Sequence, residues 1–157
     1  MKDISKEAHQ LRQHIDSLYA QNVEPTEVNG MIARSRLEAL WIEQLSTCEY
    51  FRCVECVPVP LWIHGPYGTI LRNYLPDIVI ENADGKIFVE LKPTTELALV
   101  DDRQKRALEL NPHYKFVIIG GYPYQGRGVT VKLLTGTVEK VYKNVSVDQV
   151  LQFLGCA

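Results

Sequence analysis

The sequence lacks several features that would each mark a class of protein. None of its apolar runs approaches the length of a membrane span, and its opening stretch, MKDISKEAHQ, does not have the pattern of a secretory signal. Its 157 residues carry a formal net charge of −2, so the basic excess typical of many nucleic-acid-binding proteins is missing. These absences predict a cytoplasmic protein with no membrane segment, and they leave room for a local basic surface.

Motifs of several enzyme classes are also missing. The glycine-rich stretch GGYPYQGRG contains no G-K-[ST] and is therefore not a phosphate-binding P-loop. No Ser/His/Asp or Cys/His arrangement stands out, and His64 and His113 have no partner at the spacing of a catalytic triad. The stretch does contain Tyr122, Tyr124 and Arg127, which suit contacts with nucleic acid, whereas an ordinary flexible connection is the commoner alternative.

The four cysteines do not form a convincing pattern. A disulfide framework is not expected in a reducing compartment. Cys53 and Cys56 form a C-x-x-C, with Cys48 five residues earlier, but only Cys156 and scattered histidines could complete a zinc site. Buried or half-buried thiols are the favoured interpretation, and zinc is the open alternative.

The sequence otherwise has the composition of one ordinary globular domain, with 46% hydrophobic and 23% charged residues. Apolar spacing predicts helices over 3–21, 27–46, 96–110 and 146–154. Extended segments are predicted over 50–62, 69–75, 74–81, 86–92, 114–119, 129–134 and 137–142, with a loop at IHGPYG (63–68). This order predicts an α/β fold (α+β) in which helices pack on a mixed sheet.

The stretch NYLPDIVIENADGKIFVELKP, residues 73–93, places Asp77, Glu90 and Lys92 in two apolar strands, where burial makes charge costly. The turn between the strands decides how these side chains meet. A two-residue loop at Asp84 and Gly85 would set Asp77 opposite Lys92, whereas a four-residue loop would set it opposite Glu90. Either even register places all three side chains on one face, and a three-residue loop would separate them.

Two carboxylates on neighbouring strands can hold a hard divalent cation such as Mg²⁺, and the Leu91 carbonyl could add a ligand. Lys92 would then lie beside the reacting water, where it could orient or deprotonate that water or stabilise charge on a phosphate. This set fits phosphodiester hydrolysis. The alternative is a structural salt bridge in which Lys92 only neutralises Asp77 or Glu90.

The motif P76-D77, twelve residues, then E90-L91-K92 resembles the PD-(D/E)xK nuclease superfamily, which has a restriction-endonuclease-like fold. The segment RSRLEALW (34–41) resembles the opening helix of small phage and bacterial members. YLPD and VELKP also resemble the endonuclease subunit of heteromeric transposases. The resemblance spans about residues 31–120. It implies an αβββαβ core with an extra N-terminal helix, divided into a helical arm (1–29) and a nuclease domain (30–157).

The resemblance also implies roles for individual residues. Asp77 and Glu90 would be metal ligands, and Lys92 would be the catalytic lysine. Glu38 would be the acid on the first helix, acting directly or through water. It shares a helical face with apolar residues, although a glutamate at the edge of an amphipathic stripe is the commoner case. Some members carry a glutamine on the helix after E-x-K, and Gln104 could be that residue or a surface residue.

The expected function is that of a DNA endonuclease of phage or mobile-element type, dependent on Mg²⁺ or Mn²⁺, with RNA as another possible substrate. The alternative is a nucleic-acid-binding or assembly subunit of the same fold that is active only with a partner, and the N-terminal arm could dimerise or dock. Basic residues near the motifs would contact phosphates, with solvated helix faces as the alternative. The candidates for nucleic-acid contacts are Arg34, Arg36, Arg103, Gln104, Lys105, Arg106 and Arg127.

Overall fold

The computed structural model describes residues 26–28, 31–33, 35–47, 59–66, 68–82 and 85–155. The predicted N-terminal helix over 3–21, Arg34 and the four cysteines lie outside these residues. So do the two residues at the centre of the 74–92 hairpin. Among the described residues, no helix has both the length and the apolar character that crossing a membrane would require.

The described residues form nine strands, three α-helices and one short 3-10 helix, Glu96–Leu99. The strands are β1 (Thr26–Val28), β2 (Met31–Ala33), β3 (Val59–Gly65), β4 (Gly68–Tyr74), β5 (Ile78–Asn82), β6 (Gly85–Lys92), β7 (Phe116–Gly120), β8 (Val129–Leu134) and β9 (Glu139–Val145). The α-helices are α1 (Arg36–Leu45), α2 (Asp102–Leu110) and α3 (Val147–Phe153). The predicted α/β class with a mixed sheet is confirmed.

A five-stranded sheet in the order β5-β6-β7-β8-β9 forms the centre of the described fold. Its pairs are antiparallel except for β6 and β7, which run parallel. The chain between these two strands must therefore cross over the sheet, and it does so through the 3-10 helix and α2. The hairpins β1-β2 and β3-β4 form two further sheets of two strands each.

The helix predicted over 27–46 is corrected by the structure. The helix predicted over 27–46 begins only at Arg36, because β1 and β2 pair antiparallel before it. Asn-Gly stands between these strands at positions 29 and 30, and this dipeptide favours a two-residue hairpin turn. The side chain of Ser35 then caps α1 by accepting a hydrogen bond from the Glu38 N–H, at 3.1 Å.

The predicted IHGPYG loop is also shorter in the structure, because β3 extends to Gly65 and β4 begins at Gly68. Gly68 has a φ of +119°, a conformation that glycine adopts without steric cost and that allows so tight a turn. The helix predicted over 96–110 is divided into the 3-10 helix and α2, with Val100 and Asp101 between them.

The central sheet separates two apolar cores. Helices α1 and α3 pack on one face, where their core residues include Trp41, Ile42 and Val150 and the sheet contributes Val89 and Leu91. On the other face, α2 and the end of β4 cover a second core. Its members include Tyr74, Phe88, Ala107, Phe116 and Ile118. Because strand side chains alternate between faces, Glu90 and Lys92 lie on the face covered by α2.

Candidate metal and phosphodiester site

The hairpin of β5 and β6 has the even register that the four-residue loop predicts. Ile78 pairs with Val89 and Glu81 with Lys86, and the strands close with the pair Asn82 and Gly85. Extending this register by one residue sets Asp77 opposite Glu90. The alternative register, with Asp84 and Gly85 as the loop and Asp77 opposite Lys92, is wrong, because Gly85 pairs with Asn82. Asp77 and Glu90, called the carboxylate pair below, therefore face each other at the end of the hairpin.

Glu90 is only 9% exposed, and both of its carboxylate oxygens have partners. The hydroxyl of Tyr74 donates a short hydrogen bond to Oε2, and the Nζ atom of Lys92 lies 3.6 Å from Oε1. Gln104 in turn donates from Nε2 to the Tyr74 hydroxyl at 2.9 Å. The chain Gln104–Tyr74–Glu90–Lys92 thus fixes the orientation of one buried carboxylate from both sides.

The environment of Tyr74 keeps its hydroxyl protonated. Burial, the negative charge of Glu90 and the hydrogen bond to Glu90 raise the pKa of Tyr74 well above its usual value. The charge of Asp77 acts in the same direction, whereas the hydrogen bond from Gln104 opposes it. Tyr74 therefore remains a hydrogen-bond donor to Glu90 at neutral pH.

Asp77 is held by the backbone of the neighbouring strand, since the Leu91 N–H donates to its Oδ2 atom at 2.8 Å. Alternate residues of β6 direct their backbone groups to β7, as shown by the bonds from Phe88 N to Lys115 O and from Gly121 N to Lys92 O, both 2.9 Å. Leu91 lies between these positions. Its N–H and carbonyl thus face the β5 side, towards Asp77.

Glu38 lies on α1, on the other side of the central sheet from Glu90. It is half-buried, one turn before Trp41 on α1, a helix that packs on the core face opposite Glu90. The Trp41 indole donates to the Gly121 carbonyl at 3.0 Å, and Gly121 is bonded to Lys92 through the backbone. These contacts fix α1 at the carboxyl ends of β6 and β7.

The oxygen atoms of the carboxylate pair are suitable ligands for a hard divalent cation. Two facing carboxylates and a nearby main-chain carbonyl are oxygen ligands, and Mg²⁺ commonly uses one or two carboxylates together with water and substrate phosphate. Each ionised carboxylate has lone pairs beyond those used by Tyr74, Lys92 and the Leu91 N–H. Within the described residues, no group of three or more His, Cys, Asp and Glu side chains is placed to hold a metal ion.

The candidate nucleic-acid contacts differ in exposure. Arg36 and Arg127 are exposed, and the guanidinium of Arg127 lies 6.0 Å from the centre of the Tyr124 ring. Arg34 lies outside the described residues. The surface position considered for Gln104 is wrong, because Gln104 is 3% exposed and contacts Tyr74. The structure thus places this glutamine next to the carboxylate pair.

Sequence reasoning missed two residues. It assigned no role to Tyr74, because β4 belongs to another sheet and nothing in the pattern shows that its last residue turns towards Glu90. It also missed Lys132, a 5% exposed lysine on β8 whose Nζ lies 2.5 Å from Asp101 and 3.1 Å from Glu139. A charge within the apolar run VTVKLL is the same signal that drew attention to Glu90 and Lys92.

When the chain is compared with family models, curated proteins and solved structures, none matches it.

Proposed function

We propose that this chain is a nuclease of the PD-(D/E)xK type that hydrolyses phosphodiester bonds with a divalent metal ion, and that DNA is its substrate. The observation that carries the proposal is the carboxylate pair, in which the hairpin register sets Asp77 opposite Glu90 with Lys92 on the same face. The burial of Glu90 adds support, because burying a charged side chain is costly and such groups are frequent at functional sites.

Each residue of the proposed site has a separate task. Asp77 and Glu90 would bind Mg²⁺ or Mn²⁺, with Leu91 contributing its carbonyl, and Glu38 would assist from α1. The ion would supply Lewis-acid polarisation of a phosphate oxygen. Tyr74 and the Leu91 N–H hold the two carboxylates in place. Lys92, whose side chain is 29% exposed, can reach a phosphate at the surface and orient or deprotonate the attacking water.

Supercoiled plasmid incubated with the protein and Mg²⁺ or Mn²⁺ should be nicked or linearised. Asp77→Asn and Lys92→Met should each lower the cleavage rate by at least about a hundredfold, because general acid–base and metal-binding groups typically contribute this much or more. Glu81→Gln and Lys86→Met are matched controls, since both residues are exposed on the same hairpin and pair with each other. Cleavage is measured on gels, and circular dichroism checks the fold.

The salt-bridge alternative gives a different pattern. If Lys92 and Glu90 form only a structural ion pair, the wild-type protein should cleave neither DNA nor RNA with any divalent ion, and Lys92→Met should change stability alone. Cleavage that persists in both Asp77→Asn and Lys92→Met would contradict the proposed site. A single-stranded and a double-stranded RNA belong in the same substrate panel.

A partner-dependent nuclease subunit is the second candidate, and an exposed apolar patch favours it. Leu97, Leu99 and Val100 are 41%, 40% and 53% exposed around the 3-10 helix, which follows directly after Lys92 in the chain. Apolar groups clustered on a surface commonly mark contacts between proteins. Light scattering and cleavage assays, run with and without a candidate partner, separate the two functions, and cleavage by the isolated monomer would exclude the second.

A further inference from the structure

A groove of about 550 Å³ lies where the chain leaves β7, between the end of α1 and the start of α3. Its lining includes Tyr124, Gln125, Arg127, Asn144 and Asp148, and it is called the tyrosine groove below. Tyr124 lines the groove and stacks on Tyr122, with the two rings nearly parallel at 6° and their centres 5.4 Å apart. Tyr122 itself packs against the core beneath α1, so the stack rests on the body of the protein.

The loop that carries the groove is held in place by its own backbone and its neighbours. Tyr124 N–H donates to the Tyr122 carbonyl at 2.9 Å, and Arg127 N–H donates to the Tyr124 carbonyl at 3.1 Å. At the end of the loop, a Cβ on Gly128 would lie 2.0 Å from Asn144 Oδ1. Only glycine therefore fits against this part of β9, where the register with β8 shifts. These contacts give the segment GGYPYQGRG a defined conformation, which favours a binding role over the alternative of an ordinary flexible connection.

The chemistry of the groove favours a base over a phosphate. Tyr122 stacks on the Tyr124 ring and the Arg127 guanidinium lies over that ring, 6.0 Å from its centre. A base would stack against this group of aromatic rings and planar guanidinium. Gln125 and Asn144 offer amide groups of the kind that pair with base edges. Asp148 also lines the groove, and its negative charge disfavours a phosphate there.

The groove and the carboxylate pair lie at the same edge of the central sheet but on opposite faces, and the pairing of β6 with β7 connects them. Gly120 pairs with Lys92, and Tyr124 follows four residues later. With a strand spacing of about 4.8 Å and a reach of about 3.5 Å per residue, the Cα atoms of Lys92 and Tyr124 are at most roughly 19 Å apart. Both lie at the carboxyl ends of the parallel strands β6 and β7, which is where ligands bind in open α/β sheets.

We propose that the tyrosine groove binds an unpaired base of the DNA strand whose phosphodiester bond lies at Lys92. This inference rests on the proposed nuclease function, and it names single-stranded DNA or a frayed end as the preferred substrate. A base within duplex DNA is stacked and paired, so it cannot lie against Tyr124 without being extruded at a free-energy cost. The groove thus selects for bases that are already unpaired.

Binding of a fluorescent oligothymidylate and of a matched hairpin duplex, measured by anisotropy in EDTA, tests the inference without cleavage. The wild-type protein should bind the single strand at least tenfold more tightly than the duplex. Tyr124→Leu should weaken single-strand binding by about five- to a hundredfold, the range expected from losing one stacked base. Tyr124→Phe keeps the ring and should bind as the wild type does, which makes it the matched control.

Arg127→Gln changes an exposed side chain and serves as a second variant that should also bind the single strand less tightly. Equal binding of single strand and duplex, or unchanged binding by Tyr124→Leu and Arg127→Gln, would overturn the inference. If the wild-type protein still cuts plasmid in that case, the nuclease function stands and only the groove assignment fails. A protein that prefers the single strand through Tyr124 but cuts nothing would retain the groove and lose the nuclease function.

Discussion

Tyr74 is the residue through which the carboxylate pair is connected to the rest of the molecule. It donates to Glu90, accepts from Gln104, and lies 5% exposed in the core beneath α2. Residues that orient metal ligands commonly matter nearly as much to metal affinity as the ligands do. The role we assign to Tyr74 is to hold Glu90 in one orientation.

Tyr74→Phe should lower the free energy of unfolding by about 1–3 kcal/mol, because the buried amide of Gln104 and one oxygen of Glu90 each lose a partner. It should also weaken Mn²⁺ binding by about ten- to a hundredfold, as loss of a ligand-orienting group typically does. Urea denaturation and titration calorimetry measure the two effects.

Tyr114→Phe is the matched control for Tyr74→Phe. Tyr114 packs against the same core through ring contacts with Phe88 and Phe116, at 5.0 Å and 6.3 Å between ring centres. Equal Mn²⁺ affinity in the wild-type, Tyr74→Phe and Tyr114→Phe proteins would refute the role given to Tyr74.

Sequence reasoning could find Asp77, Glu90 and Lys92 because a strand repeats every two residues, so the local pattern already contains their common face. The choice between the two even registers depended on the turn, and only the structure decided it. Tyr74 and the burial of Gln104 could not be predicted, because they depend on how β4 and α2 approach the sheet. These approaches are set by tertiary packing, which leaves no periodic signal in the sequence.

Among the secondary-structure elements, the crossover between β6 and β7 packs closely against the end of β7. The 3-10 helix passes so close to the end of β7 that a Cβ on Gly120 would lie 2.5 Å from the Thr94 carbonyl and 2.7 Å from the Ala98 Cβ. Gly120 also pairs with Lys92. The absence of a side chain at Gly120 therefore sets the position of the proposed catalytic lysine.

Gly120→Ala should destabilise the protein by about 1–3 kcal/mol, because the added methyl group would force the crossover away from the sheet. The cleavage rate should fall as well, since Lys92 would move with its strand. Ala98→Gly removes one of the two clashes, so the double variant should regain part of the lost stability in urea. Strictly additive effects of the two substitutions would contradict this account.

The fold class was accessible from the sequence because long apolar patterns mark helices and strands, and Val129–Leu134 and Val147–Phe153 lie within one residue of their predicted bounds. The errors in the helix bounds share one cause, because helical periodicity continues past the ends of the observed helices. At α1 it reaches back into a segment where Asn-Gly favours a turn, and in the crossover it continues through Val100 and Asp101, which lie between the 3-10 helix and α2.

For the molecule as a whole, a cluster of four charges joins α2 to β8 and β9. Lys132 and Lys105 both contact Asp101 and Glu139, with Lys105 at 3.2 Å and 3.4 Å. Burial raises the pKa of Asp101, but hydrogen bonds from Lys132 and Lys105 and their positive charges outweigh it and lower that pKa below its usual value. The cluster therefore couples the stability of the fold to pH.

The sign of this coupling follows from the direction of the shift. Because the pKa of Asp101 is lower in the folded state than its unfolded value of about 3.9, its contribution to stability is complete above that pH and is lost as the pH falls through the folded pKa. The urea midpoint should thus decrease below about pH 4. Asp101→Asn should lower the midpoint at pH 7 and flatten this acid dependence, whereas Asp102→Asn, an exposed neighbour on α2, should keep it.

Apart from Gln104, the network around the carboxylate pair is local in sequence, since Tyr74, Asp77, Glu90 and Lys92 all lie between positions 74 and 92. A hairpin closes in about 1–10 μs, whereas the parallel pairing of β6 with β7 must wait for the whole crossover, because pairing rates fall with sequence separation. We therefore expect Asp77 and Glu90 to meet early during folding, before the sheet exists to bury them. At that stage both carboxylates are still solvated, so their mutual repulsion is weak, and the positive charge of Lys92 on the same strand offsets it further.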